Sequence, residues 1–217
     1  MLDGKVSNLI NKHVQDNFWL YVITLLCFFT GVVLGIYSVR YMGGFEKSDL
    51  LSYLGSFKNS VNSNGINYKT IFIETIKLNI PMIAAIWFLG LTMIGIPVIL
   101  VIDVIKGFTV GFASSFIINE LGMKGMCFVL LGIFPQNIVY IPCIIFSSVL
   151  AVEFSLTILK DRSGSQWKSH VLLKLASYSI TFVFIIGVMC IGLIMEVYLT
   201  PNIMKLIAAN FVTFVTL

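Results

Sequence analysis

The chain has 217 residues, of which 58% are apolar and 11% charged, and a mean hydropathy of +0.98. That composition is the mark of a polytopic membrane protein and excludes an ordinary soluble domain. The formal net charge is +4, but the basic residues are scattered, so neither a nucleic-acid surface nor a strong anionic-lipid patch is indicated.

Residues 1–17 form a polar leader in which Val6, Leu9, Ile10, His13 and Val14 share one face of a helix. A short amphipathic turn on the membrane surface is expected, with His13 as an interface residue. The apolar run that follows is too long for a signal-peptide core and lacks a small-residue cleavage site, so it is read as retained. It gives the first crossing, 18–41, with Phe18, Trp19 and Tyr21 at one end and Tyr37, Arg40 and Tyr41 at the other. Aromatic rings at both ends match the two membrane interfaces. Gly31 and Gly35 stand at GxxxG spacing, which lets another helix backbone approach closely.

Residues 43–78 make the main polar excursion, read as an extracytoplasmic amphipathic region of two short surface helices around a turn-rich loop at 59–65. Leu54, Phe57, Tyr68 and Phe72 are its candidate partner contacts. Asn79-Ile-Pro81 then opens a second crossing, 80–102, with Asn79 as its cap and Pro97 as a kink. Gly90 and Gly95 read as packing or flexibility positions. Asp103 and Lys106 read as a tight turn before a short third crossing, 105–119, which carries a second GxxxG pair, Gly107 and Gly111.

The stretch from Met123 to Lys160 is apolar but interrupted at Gly132-Ile-Phe-Pro-Gln-Asn-Ile-Val-Tyr-Ile-Pro142. Pro135 lacks an N–H, while Gln136 and Asn137 bring amides that hydrocarbon cannot satisfy. Two readings stand: a surface loop with a short interfacial helix before a normal span, or a half-inserted segment whose polar break is buried among helices. The fourth crossing, 137–159, carries Glu153, an intramembrane charge read as paired, packed or hydrated near the interface. A charged turn at 160–170 leads to the last crossing, 171–198, with Glu196 at its outer end.

The fold class is therefore all-α: a polytopic helical bundle with about five transmembrane helices and a broken or re-entrant segment near 123–137, in a single membrane domain, 1–217. Five crossings place the termini on opposite faces. Lysine and arginine divide seven against seven, and the compact basic turn at 160–174 favours a cytoplasmic N-terminus. Nothing with catalytic spacing appears: no GxSxG, Walker lysine loop, HExxH, CxxC or paired carboxylates. Cys27, Cys127, Cys143 and Cys190 lie far apart, so no metal site or disulfide framework is indicated. No catalytic residue, metal or cofactor is assigned. Two functional classes remain, a membrane scaffold and a transporter or channel subunit with a solute path near the broken helix and Glu153.

The layout resembles the stage II sporulation protein M family. The resemblance covers nearly the whole chain: the leader and first span, the 42–78 region, Asn79-Ile-Pro81, the glycine pair around Asp103–Gly111, and above all Gly132 to Pro142. Relatives in the wider family often carry His-Gly before a glutamate where this chain has Pro135-Gln136-Asn137, so no acid-dependent role is carried over. The resemblance implies a multi-span protein of the cell membrane with a cytoplasmic N-terminus, acting in engulfment of the forespore. It implies two wall-facing partners, a lytic transglycosylase and an amidase/endopeptidase, with this chain as their non-catalytic anchor. Membrane lipids are expected around it, self-association through the GxxxG faces is a further expectation, and nucleic acid is not.

Overall fold

The computed structural model describes residues 13–50, 52, 68–92, 94–161 and 167–215. Five long helices follow one another: α1 (Phe18–Arg40), α2 (Tyr68–Gly90), α3 (Gly95–Phe128), α4 (Phe134–Asp161) and α5 (Trp167–Val215), with a π-helical segment, Val129–Ile133, joining α3 to α4. No strand occurs among the described residues. Five stretches among the described residues are long and apolar enough to cross a membrane: Phe18–Arg40, Ile71–Gly90, Gly95–Met123, Gly125–Leu159, which runs from the end of α3 through the π segment into α4, and Leu173–Tyr198. The protein is a multi-pass helical membrane protein.

Three helix boundaries differ from those expected. The 66–78 stretch is not a separate surface helix where it is described, because from Tyr68 onward it forms the first half of α2. Asn79 is therefore not a cap. It lies mid-helix, and α2 continues through Pro81. The turn expected at Asp103–Lys106 is absent. The chain turns instead at 91–94, and both charged residues sit inside α3. Pro97 accordingly opens a helix rather than kinking one. It stands in the first turn of α3, where backbone N–H groups have no intrahelical acceptor and a missing one costs nothing. The expected crossing 105–119, shorter than the roughly twenty residues a span requires, thus becomes part of a full-length one.

The 91–94 turn is held from the other helices. Ser155 on α4 donates to the Thr92 carbonyl at 2.9 Å, and Tyr178 on α5 donates to the Trp87 carbonyl at 3.0 Å. Gly90 faces Ala151 and the Tyr178 hydroxyl, so a larger side chain there would displace both. Gly95 folds back over the Leu89 carbonyl as the turn closes.

The interruption near 123–137 takes a particular form. Gly122, at φ 56° and ψ −132°, is the one described residue inside α3 with non-helical torsions, and glycine enters that region without strain. The backbone then widens into the π turn, and Pro135 falls in the first turn of α4. So the break lies upstream of Pro135, and the chain is helical through Pro135, Gln136 and Asn137. Asn137 is buried, its side-chain amide donating to the Ile133 carbonyl at 2.8 Å. That bond satisfies the amide inside the span and adds a donor to the Ile133 carbonyl, where the π turn passes into α4.

The apolar core gathers Ile83 and Ile86 from α2, Ile99 from α3, Tyr140, Ile144, Ala151 and Val152 from α4, and Tyr178, Phe182, Ile185, Met189 and Leu193 from α5. Helix α1 packs chiefly on α3. Gly31 lies on the Val104 carbonyl and Gly35 on the Phe108 carbonyl, while Gly107 lies on the Phe28 carbonyl and Gly111 on that of Val32. A Cβ at any of these four positions would strike the facing backbone. The two GxxxG pairs therefore meet each other within one chain.

Candidate functional site

Side chains from four helices converge on a polar cluster inside the bundle. The pattern begins on α2, where Thr75 and Asn79 are one helical turn apart and both buried. Asn79 donates its amide to the Thr75 carbonyl at 3.1 Å, which aims its own oxygen towards α3. Lys106 of α3 donates to that oxygen at 3.1 Å. The same ammonium lies 5.8 Å from the ring centre of Tyr140 on α4, within range of a cation–π attraction. Tyr140, only 2% exposed, donates its hydroxyl to Glu196 of α5 at 2.8 Å. Glu196 also accepts from the Thr75 side chain.

One glycine makes this geometry possible. Gly192 lies a turn before Glu196, and a Cβ there would come within 2.8 Å of the Tyr140 ring. Its absence lets the ring pack close to α5 with its hydroxyl on the carboxylate. Lys106 and Glu196 thus both engage one tyrosine, the first over its ring and the second at its hydroxyl, opposite in charge and tied into the same polar cluster. Formal charges inside a span are costly unless they are paired and bonded, and such groups mark functional positions more often than packing ones.

A second polar contact lies further along the same two helices. α3 and α4 run antiparallel, so a contact earlier on α3 than Lys106 falls later on α4 than Tyr140. Asp103 is fully buried and accepts from the Ser148 hydroxyl at 2.7 Å through Oδ1. Its Oδ2 is buried without a hydrogen-bond partner.

The residues singled out in the sequence distribute otherwise. Glu153 is not in this cluster. It stands near the end of α4 at 3.4 Å from Nδ1 of His13, whose ring also packs edge-on against Phe146 at 5.5 Å and Tyr21 at 6.1 Å. The leader histidine and the intramembrane glutamate are thus partners, joined across the chain. Pro135 and Gln136 are half-buried. Asn137, with Val110, Ser114, Val129, Ile133 and Phe134, lines an apolar groove of about 370 Å³ at the joint between α3 and α4. Tyr68 stacks on Tyr198 at 5.7 Å, tying the start of α2 to α5. Phe72 is exposed inside the candidate span Ile71–Gly90, so its ring faces lipid or another membrane helix. Leu54 and Phe57 lie outside the described residues. At the end of the bundle opposite His13, Lys47 pairs with Glu120 at 2.7 Å.

Sequence reasoning missed the cluster because Asp103 and Lys106 looked like a turn, Asn79 like a cap and Glu196 like an outer-end charge. One signal was present. Asp103 and Lys106 are flanked by long apolar runs without a Ser, Asn or Pro turn cluster, and the crossing they would have truncated was too short. Among the described residues, no three His, Cys, Asp or Glu side chains gather as a metal site requires. The cluster instead offers one ammonium, one carboxylate, a phenol and an amide, a set suited to fixing helices by charge-assisted hydrogen bonds or to passing protons.

Compared with known proteins, residues 24–201 match the family model described as Stage II sporulation protein M. No curated protein and no solved structure matches the chain.

Proposed function

The chain belongs to the stage II sporulation protein M family, and from that premise we propose that it is the membrane anchor of a wall-remodelling complex acting in forespore engulfment. In this reading it recruits peptidoglycan hydrolases, a lytic transglycosylase and an amidase/endopeptidase, and performs no hydrolysis itself. The observation that carries the reading is the family match across residues 24–201, which spans all five membrane helices. The fold is in keeping with it. Two helices are locked backbone to backbone, and four are joined by buried polar contacts, as a stationary platform requires.

We place the N-terminus in the cytoplasm. The end of α1 at Arg40, Glu120 of α3, and the 43–67 connection that carries Lys47 then face the wall and its hydrolases. Photo-crosslinkers at Leu54 and Tyr68 in sporulating cells should trap a wall hydrolase. Correctly inserted protein that yields no hydrolase adduct from either position would sink the anchor reading. Cysteine labelling of intact cells at position 47 but not at position 13 tests the orientation.

A second reading, a transporter or channel subunit, draws on the Lys106–Tyr140–Glu196 chain and on the groove beside Asn137. In this reading the solute path near the break would not include Glu153, which is engaged with His13. Solute flux in liposomes that is lost in E196Q would favour it over the anchor.

A further inference from the structure

Of the carboxyl groups inside the candidate spans, Asp103 is the most enclosed. It is 0% exposed, it accepts one hydrogen bond, and its Oδ2 meets no donor. Glu196 provides the contrast, with donors from both Tyr140 and Thr75 and the Lys106 ammonium nearby.

The groups that could answer a negative charge on Asp103 are few. From its own helix comes Lys106, whose ammonium is turned to Asn79 and Tyr140 and shares its field with Glu196. From α1 comes Cys27, which lies close enough to sense the Asp103 charge and carries none to oppose it. From α4 come Ser148 and, further along, Tyr140; from α2 come Asn79 and Thr75, neither of them ionisable. From α5 comes Glu196, of the same sign. No described cation lies within 4 Å of Asp103. An ionised carboxylate with one free oxygen in this interior would be an uncompensated buried charge, the costliest arrangement a helix bundle can hold. A sodium or similar ion requires several oxygens around it, and among the described residues Ser148 Oγ is the one side-chain oxygen shown bonded to the carboxylate. A proton requires none.

We propose that Asp103 is a proton-binding site at the centre of the bundle: at neutral pH its carboxyl holds a proton taken from the aqueous phase, and the α3–α4 contact through Ser148 is built for that neutral form. Ser148 donates to the carbonyl oxygen of the acid, and the hydroxyl sits on Oδ2. Loss of the proton leaves a buried negative charge with no described cation within 4 Å, so α3 and α4 must loosen or admit water. The site is independent of whether the protein anchors hydrolases.

Infrared spectroscopy of the full-length protein in liposomes tests this directly. Of the aspartates, Asp103 alone lies within the candidate spans, since Asp3, Asp16, Asp49 and Asp161 fall outside them. At neutral pH the protein should show a protonated-carboxyl C=O band that moves on carbon-13 labelling of aspartate side chains. Asp103→Asn should abolish the band, whereas Glu196→Gln and Glu153→Gln should leave it. Ser148→Ala should shift it to higher frequency, because the carbonyl loses its donor. The Ser148→Ala shift remains decisive if Asp103→Asn does not fold. Folded wild-type protein with no aspartate-sensitive protonated-carboxyl band at neutral pH would overturn the proposal, as would a band unmoved by Ser148→Ala.

Discussion

Between α1 and α3 the chain packs backbone on backbone; where α2, α4 and α5 meet α3, it joins them through polar side chains. The first contact uses four glycines, Gly31, Gly35, Gly107 and Gly111, each seated on a carbonyl of the facing helix. Its attraction is close van der Waals packing, which lipid cannot match because lipid cannot approach a backbone so nearly. The second uses Lys106, Asn79, Tyr140, Glu196 and Thr75, and its strength depends on every member being present. α3 takes part in both, with its glycines turned to α1 and its charges turned to the other helices. A glycine seam tolerates no added atom, whereas a polar chain tolerates no removed partner.

The largest effect should come from adding atoms to the seam. Gly31→Leu and Gly107→Leu each drive a side chain into a backbone, and each should cost about 3 kcal/mol or more, with loss of the folded monomer on thermal unfolding in detergent. Wild-type stability in both would show that the seam is loose. A smaller loss follows from removing a partner on the polar side. Lys106→Met keeps the stem but strands the Asn79 oxygen and leaves Glu196 without its cation, for about 2 kcal/mol. Adding Glu196→Gln to Lys106→Met should recover about 1 kcal/mol of that, measured as a double-mutant cycle. Strict additivity would mean the two charges do not sense each other. The smallest effect is expected at the rim. His13→Ala removes a pair in which Glu153 is over a third exposed, and should cost about 0.5 kcal/mol. A loss as large as that of Lys106→Met would make the leader an integral part of the core.

These two regions were unequally legible in the sequence. The glycine pairs could be read because GxxxG spacing states its own geometry, although it does not say which helix will meet it. The number of crossings, five, could be read because twenty apolar residues have few other destinations, but the expected 80–102 span straddles the turn that ends α2 at Gly90 and starts α3 at Gly95. The polar chain could not. A charged residue flanked by apolar sequence is most often a loop, and what keeps Asp103 and Lys106 inside a helix is Ser148 and Asn79, each on a different helix. Pro135 misled for the opposite reason. It looked like a break, but a proline in the first turn of a helix breaks nothing, and the unwinding falls on Gly122 and the π turn before it.

The α1–α3 seam also bears on how the protein is made. α1 leaves the ribosome first, α2 follows, and neither presents the surface that α1 is shaped to meet. Until α3 is threaded into the bilayer, the Gly31–Gly35 face stands open to whatever small-residue helix passes, a sister chain included. The order of synthesis therefore creates a brief interval in which misassembly competes with folding. An insertase that shelters α1 through that interval would raise the yield of correct bundles without touching the stability of the finished one.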